Sequence, residues 1–342
     1  MWPAVPSGTV AAMKLLMLGG TEFVGRAVTE AALARGWEVT VFHRGNHAPP
    51  QGVTVLHGDR ADAAGLAALE KGEWDAVVDT WSGAPSAVRD SARLLAGRAG
   101  TYAYVSSSSV YAFPPTARLD ERAPLVTGSA GATDAADYAQ AKRGGELAAV
   151  EAFGERALLV RAGLILGPYE NVGRLPWWLG RIARGGTVLA PGPRGMALQY
   201  IDVRDLAEWT ADALRAGLGG PYNLVSEAGH ATMGELLESC AKVTGADAQL
   251  RWTAPEDVLA AGIEPWIELP GWLAPGELRD AVFGVEVSKA LASGLRCRPV
   301  AETVADTWAW LQAVGGVAPQ RPDRPVLGLD PAKEAVALRR AG

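Results

Sequence analysis

Short apolar runs rich in β-branched residues alternate with stretches of helical periodicity through the first two thirds of the chain. The runs fall at Leu15 to Leu18, Glu38 to Phe42, Val53 to His57, Asp75 to Asp79, Tyr102 to Ser106, Ala157 to Arg161 and Tyr222 to Val225. This alternation predicts βαβ units and a parallel sheet of seven strands, an α/β doubly wound fold. Between the first two runs, Val24, Ala27, Val28, Ala31 and Ala32 share one helical face, and Gly36 stands where a helix C-terminus favours glycine. After Gly167 the pattern breaks up around Pro168, Pro176, Pro191 and Pro193. It returns as a helix over Asp202 to Ala216, a strand at Tyr222 to Val225, and a helix opened by a capping box, Thr232 with Glu235.

The 342 residues, 49% of them hydrophobic and 20% charged, suffice for a large buried core. A net charge of -6 argues against a general nucleic-acid or anionic-membrane surface, because both partners would be repelled. No apolar run reaches the ~18 residues that a membrane-spanning helix needs. Met1 to Ala12 lacks the cationic start and apolar core of a signal peptide, and a cytoplasmic location is expected. Cys240 and Cys297 stand far apart, and His43, His47, His57 and His230 show no ligand spacing, so neither a disulfide nor a metal site is expected.

Gly19-Gly20-Thr21-Glu22-Phe23-Val24-Gly25 directly follows a strand and opens a helix. In that setting glycine lets the backbone approach a pyrophosphate, whose charge is met by free amides at the helix N-terminus. Glu22 stands where a further glycine would complete the loop, and its carboxylate must turn away from phosphate or toward a ribose hydroxyl. The second strand ends in His43-Arg44, where an acidic residue would favour NAD and an arginine can pair with a 2′-phosphate. NADP is therefore preferred over NAD, with a solvated loop arginine as the alternative. At the end of the third strand, Gly58-Asp59-Arg60 places an acceptor where an adenine amino group would lie.

Of the seven tyrosines, only Tyr138 has a lysine four residues on, Lys142, and such a pair shares a helix face. A cation beside a phenol favours the phenolate and suits the phenol to acid and base work. A helix-surface pair is the alternative. Ser106 to Ser109 follow the fifth strand at the carboxyl edge of the sheet, where doubly wound proteins bind ligands.

Taken together, GGTEFVG, HRG, GDR, VSSSSVYAF, LDERAPL, YAQAK and VRAGLILGP resemble, in order, the extended short-chain dehydrogenase/reductase superfamily, in particular its NAD-dependent epimerase/dehydratase branch. The resemblance covers roughly Lys14 to Val225. It implies Tyr138 as acid/base, Lys142 as the ribose-binding residue that lowers the tyrosine pKa, and Ser107 as hydroxyl partner, with Ser106 and Ser108 as near rivals. It implies cofactor contacts from Gly19, Thr21, Glu22, Phe23, Val24, Gly25, His43, Arg44, Asp59, Arg60, Thr80, Lys142 and Ala162. Thr80, Trp81 and Ala162 depart from the family pattern and alter the pocket walls.

The expected organisation is a disordered extension over 1–13, a Rossmann domain over 14–167 and 196–247, a substrate lobe over 168–195 and 248–315, and an exposed tail over 316–342. Arg174, Trp177, Trp178, Gln199, Tyr200 and Trp252 are candidate substrate contacts, with core packing as the alternative. The expected function is an NADP(H)-dependent oxidoreductase acting on a carbonyl or alcohol of a small molecule; the resemblance further implies the option of a homodimer. A nucleotide-sugar epimerase with retained cofactor is the rival. The GGTEFVG loop also resembles that of chloroplast stem-loop RNA-binding relatives, but the acidic balance and the complete Ser, Tyr and Lys set argue against a regulatory or RNA-binding role.

Overall fold

The computed structural model describes residues 12–115 and 119–340; residues 1–11, most of the extension expected to be disordered, lie outside the described residues. Strand β1 (Lys14–Leu18) runs through the middle of a parallel sheet. It pairs with β2 (Glu38–His43), which carries β3 (Thr54–His57) at the edge. On its other side lie β4 (Trp74–Asp79), β5 (Ala99–Ser107), β6 (Ala157–Ala162) and a seventh strand, Gly220–Leu224. The order β3-β2-β1-β4-β5-β6-seventh is the doubly wound Rossmann arrangement that the strand pattern predicts.

Both faces of β1 are covered, which is why its sequence is continuously apolar rather than alternating. Leu15 and Met17 face helices α1 (Phe23–Ala34) and α5 (Val203–Arg215), whereas Leu16 and Leu18 face α2 (Pro85–Leu95) and α3 (Tyr138–Phe153). Gly36, at φ +73°, closes α1 by letting Trp37 N donate back to Ala32 O at 3.1 Å. The fifth strand begins three residues before the predicted Tyr102. A Cβ on Gly100 would lie 2.6 Å from Asp75 O, so its glycine serves a close approach between neighbouring strands.

A third core forms the second lobe. Leu175, Trp178 and Leu179 of α4 (Arg174–Ala183) pack with Met233, Leu237 and Cys240 of α6 (Met233–Thr244), and with Val304 and Leu311 of the helix Val300–Ala313. The sequence division places residues 196–247 with the sheet domain, but Met196, Leu198 and Tyr200 belong to the lobe core and Ile201 to the sheet core. The capping box of α6 forms as predicted, and its apolar face turns to the lobe rather than the sheet. Periodicity reports the width of an apolar face and not which partner covers it.

The tail expected to be exposed is exposed over most of its described residues, but a few of them anchor it to the lobe. Asp330 accepts from Ala332 N and Lys333 N and so starts the helix Pro331–Arg340. Leu329, Glu334 and Ala337 are buried, and the Glu334 carboxylate accepts from Arg181 Nε at 2.7 Å and Leu189 N at 3.0 Å. A composition rich in proline and arginine hides a segment that buries Ala318, Leu329 and Ala337 against the lobe while Val317, Val326 and Val336 stay exposed. Among the described residues, no helix is long and apolar enough to cross a membrane.

Candidate active site

The turn after β1 is built to bring backbone close to a ligand. Gly19 and Gly20 adopt φ of +112° and +88°, and a Cβ on Gly25 would sit 2.6 Å from Gly20 N, so the first turn of α1 rests directly on the loop. Glu22 precedes α1 in extended conformation and makes no side-chain cap, which leaves the first amides of the helix free to meet an anion. The Glu22 carboxylate accepts from Asn171 Nδ2 at 3.2 Å and lies 3.7 Å from His47 Nε2.

This loop forms one wall of a cavity of about 660 Å³. Gly19, Thr21, Glu22, Phe23, Val24, Gly25, Thr80, Ser107, Tyr138, Lys142 and Ala162 all line it, so most of the residues singled out in the sequence are brought together. Side chains of the second lobe and of the C-terminal segment complete it: Asn171, Arg174, Trp266, Arg321 and Arg324.

The tyrosine and lysine sit on the first turns of α3, whose start is fixed by Asp137 accepting from Gln140 N at 2.9 Å. Lys142 is buried, and its Nζ donates to Trp81 O and Val105 O, each at 2.7 Å. An ammonium has three protons, so one is left for a ligand hydroxyl. Burial pushes the Lys142 pKa down to about 7, opposed by the charge of Asp79 and reinforced by Arg324, Arg321 and Arg60.

The serines are sorted by their partners. Ser106 Oγ donates to the buried Glu146 carboxylate at 2.9 Å. Glu146 also accepts from Arg161 Nε at 2.8 Å, and Arg161 reaches the Tyr111 hydroxyl at 3.1 Å. Ser106 and Tyr111 line the cavity but have their hydroxyls engaged in a buried network with Glu146, Arg161 and Asn223. Among the described residues Ser107 Oγ is held only by Ser109, accepting from its N and donating to its Oγ, both at 3.1 Å. A hydroxyl bonded that weakly can turn to a substrate oxygen.

Four predicted cofactor residues lie outside the cavity. Arg60 is a core residue: its guanidinium pairs with the fully buried Asp79, at 2.6 Å from Nη2 to Oδ2, and also donates to Ser91. Tyr102 donates to the same carboxylate at 2.6 Å. The predicted cofactor contact from Arg60 is thus corrected, because the buried Asp79 carboxylate at the end of β4 requires that cation. His43 is the last residue of β2, and Arg44 and Asp59 follow β2 and β3. Their backbone is coupled to the glycine loop through Gly19 N donating to Phe42 O, but their side chains do not line the cavity. Arg44 is exposed.

Of the six candidate substrate contacts, only Arg174 faces the cavity. Trp178 is buried and donates to Pro270 O, and Gln199 is satisfied by Ser226 O and both backbone groups of Val285. Tyr200 is core, Trp252 packs against the lobe core, and Trp177 is covered by Gly328. Arg321, Arg324 and Trp266 are site residues that the sequence reading missed. They lie in stretches without periodicity, where no spacing marks them.

The cavity therefore offers a pyrophosphate-sized backbone cradle, a buried lysine with a proton to spare and a half-exposed phenol four residues before it. A model of the family described as "NAD dependent epimerase/dehydratase family" matches residues 15–224. The chain belongs to this family. It is an NAD(P)-dependent enzyme of the extended short-chain dehydrogenase/reductase type, as its motifs imply. No curated protein sequence matches it significantly. Solved structures share its fold: the Bordetella bronchiseptica enzyme WbmH in complex with NAD+ is 18% identical over 90% of this chain and all of its own, with a TM-score of 0.68. The UDP-glucose 4-epimerase of Thermus thermophilus, complexed with NAD, is 21% identical over 89% of this chain and all of its own, with a TM-score of 0.62. WbmG of B. bronchiseptica, in complex with NAD and UDP, is 17% identical over 92% of this chain and all of its own, with a TM-score of 0.65.

Proposed function

We propose that this member of the family is an oxidoreductase acting on a carbonyl or alcohol carbon of a small molecule, with Tyr138 as the group that moves the proton. The reading is carried by one observation: Ser107, Tyr138 and Lys142 line the same cavity as the glycine loop. A nicotinamide dinucleotide, when bound, supplies the hydride chemistry that the side chains lack. The residues fit such a cofactor, since the uncapped start of α1 would meet its pyrophosphate and Lys142 would donate to a ribose hydroxyl.

Each side chain then has a defined task. Ser107 orients the substrate oxygen by a hydrogen bond, Tyr138 gives its phenolic proton to that oxygen or takes one from it, and the Lys142 ammonium favours the phenolate. Gly19, Thr21, Phe23, Val24 and Gly25 hold the phosphates by backbone, while Thr80 and Ala162 form the walls beside them. We assign a preference for NADP over NAD to Arg44, exposed at the end of β2 with no acidic residue beside it. His43 and Asp59 would complete the adenosine end.

The test is cofactor stoichiometry against a panel of carbonyl compounds and nucleotide sugars. Steady consumption of NADPH supports the proposal. Turnover with no net change in cofactor would replace it with an epimerase using the same three residues.

A further inference from the structure

The cavity carries more positive charge than its cofactor cradle requires. Glu22 is the one acid among its described lining residues, against Lys142, Arg174, Arg321 and Arg324. Arg321 is neutralised by Asp323, through bonds of 2.9 and 2.6 Å. The other two arginines are held less closely by carboxylates. Arg324 has no carboxylate within ion-pair distance among the described residues, and its guanidinium lies 4.8 Å from the centroid of the Tyr138 ring. Arg174 is 4.0 Å from Glu170, whose carboxylate is occupied by the amides of Arg174 and Leu175, and its buried Nε has no partner among the described residues. Burial pushes the Glu170 pKa up to about 7, which weakens it further as a counterion.

These cations gather where Tyr138 stands. Arg174, Arg324 and Tyr138 all line the one cavity. The segment that brings Arg324 there is fixed at both ends. Arg321 N donates to Asn171 O at 3.1 Å and its side chain to Ser82, while Gly328 N donates to Ile267 O at 2.9 Å and packs against the Trp177 indole. A guanidinium with donors left unused in a partly desolvated site is an oxyanion receptor.

We propose that Arg174 and Arg324 form an oxyanion subsite, so that the substrate carries a carboxylate or phosphate group close to the carbon that reacts at Tyr138. The proposal rests on the oxidoreductase reading above, because it names the substrate class of that site. It gives the C-terminal segment, beyond the residues matched by the family model, a direct part in substrate selection.

The experiment titrates inorganic phosphate, and separately acetate, into protein saturated with NADP or NAD, followed by phosphorus and carbon NMR. The saturated cofactor fills the glycine loop, and the two anions distinguish phosphate from carboxylate substrates. Binding of either, weakened by about tenfold or more in Arg324→Ala and partly kept in Arg324→Lys, is expected. Arg174→Gln, checked for folding by circular dichroism, should weaken it similarly. Binding unchanged in Arg324→Ala, or no binding of either anion by the wild type, overturns the proposal. If neither cofactor binds, the nicotinamide reading fails by itself. Comparing wild type with Arg324→Ala in cofactor-free protein then still reads the subsite, since binding at the glycine loop does not depend on Arg324.

Discussion

The Arg324 guanidinium lies over the ring of Tyr138, 4.8 Å from its centroid, although the two residues are 186 positions apart in the chain. The same cation helps to hold the Lys142 pKa down. Replacing Arg324 by alanine should therefore raise the Lys142 pKa from near 7. Carbon NMR of labelled lysine side chains reads this directly, and an unchanged Lys142 titration would show that the two cations do not communicate.

Lys142 also sets a pH dependence of stability in the cofactor-free protein. Folded Lys142 loses its proton near pH 7, whereas the unfolded lysine keeps its proton to about 10.5, so between these values the unfolded state binds more protons. The Lys142 contribution to stability rises with pH through that window. Below it, the full cost of burying an ammonium is present, on the order of a few kcal/mol. Urea unfolding of wild type and Lys142→Met should show Met the more favourable at pH 6 and the difference shrinking by pH 10. A constant difference would refute this.

Asp79 and Arg60 form a buried pair whose members cannot be removed singly. Asp79→Asn leaves a buried guanidinium without its counterion and should cost about 3 to 5 kcal/mol. Its effect belongs in the urea midpoint. If instead stability is kept and adenosine binding is lost, Arg60 would return to the cofactor site.

The sheet order was legible, and nine of the thirteen residues expected to contact a cofactor line the cavity, because strand periodicity, a glycine turn and a Tyr-Lys offset are local patterns. Arg60 was misplaced because the sequence shows that an arginine follows β3, not that a buried Asp79 nineteen residues later captures it. Trp178 and Gln199 were candidates because their side chains suit recognition, yet their polar atoms are satisfied by backbone in the core. Arg321 and Arg324 were invisible for the opposite reason: the segment has no period, and only its anchors at Asn171 and Ile267 bring it to the cavity.

Gly25 tests the cradle. A methyl group there would stand 2.6 Å from Gly20 N, which is backbone and cannot swing aside. Gly25→Ala should separate α1 from the loop and weaken cofactor binding by about tenfold or more, on the scale of a lost charge-assisted hydrogen bond. Calorimetric titration decides it, and wild-type affinity in the variant would mean that the loop does not hold the phosphates.

Arg44 tests cofactor choice. If it pairs with a 2′-phosphate, Arg44→Ala should reduce the preference for NADP over NAD by about tenfold or more while leaving NAD affinity near its wild-type value. Tighter binding of NAD than NADP by the wild type would already contradict the assignment.

The most direct test of the central claim is the steady-state rate of Tyr138→Phe with a carbonyl substrate found in the panel, at saturating cofactor. The account predicts that the variant binds cofactor as the wild type does and turns over about 10²- to 10⁴-fold more slowly, the usual range for losing a general acid or base. Turnover at the wild-type rate would show that Tyr138 does not move the proton.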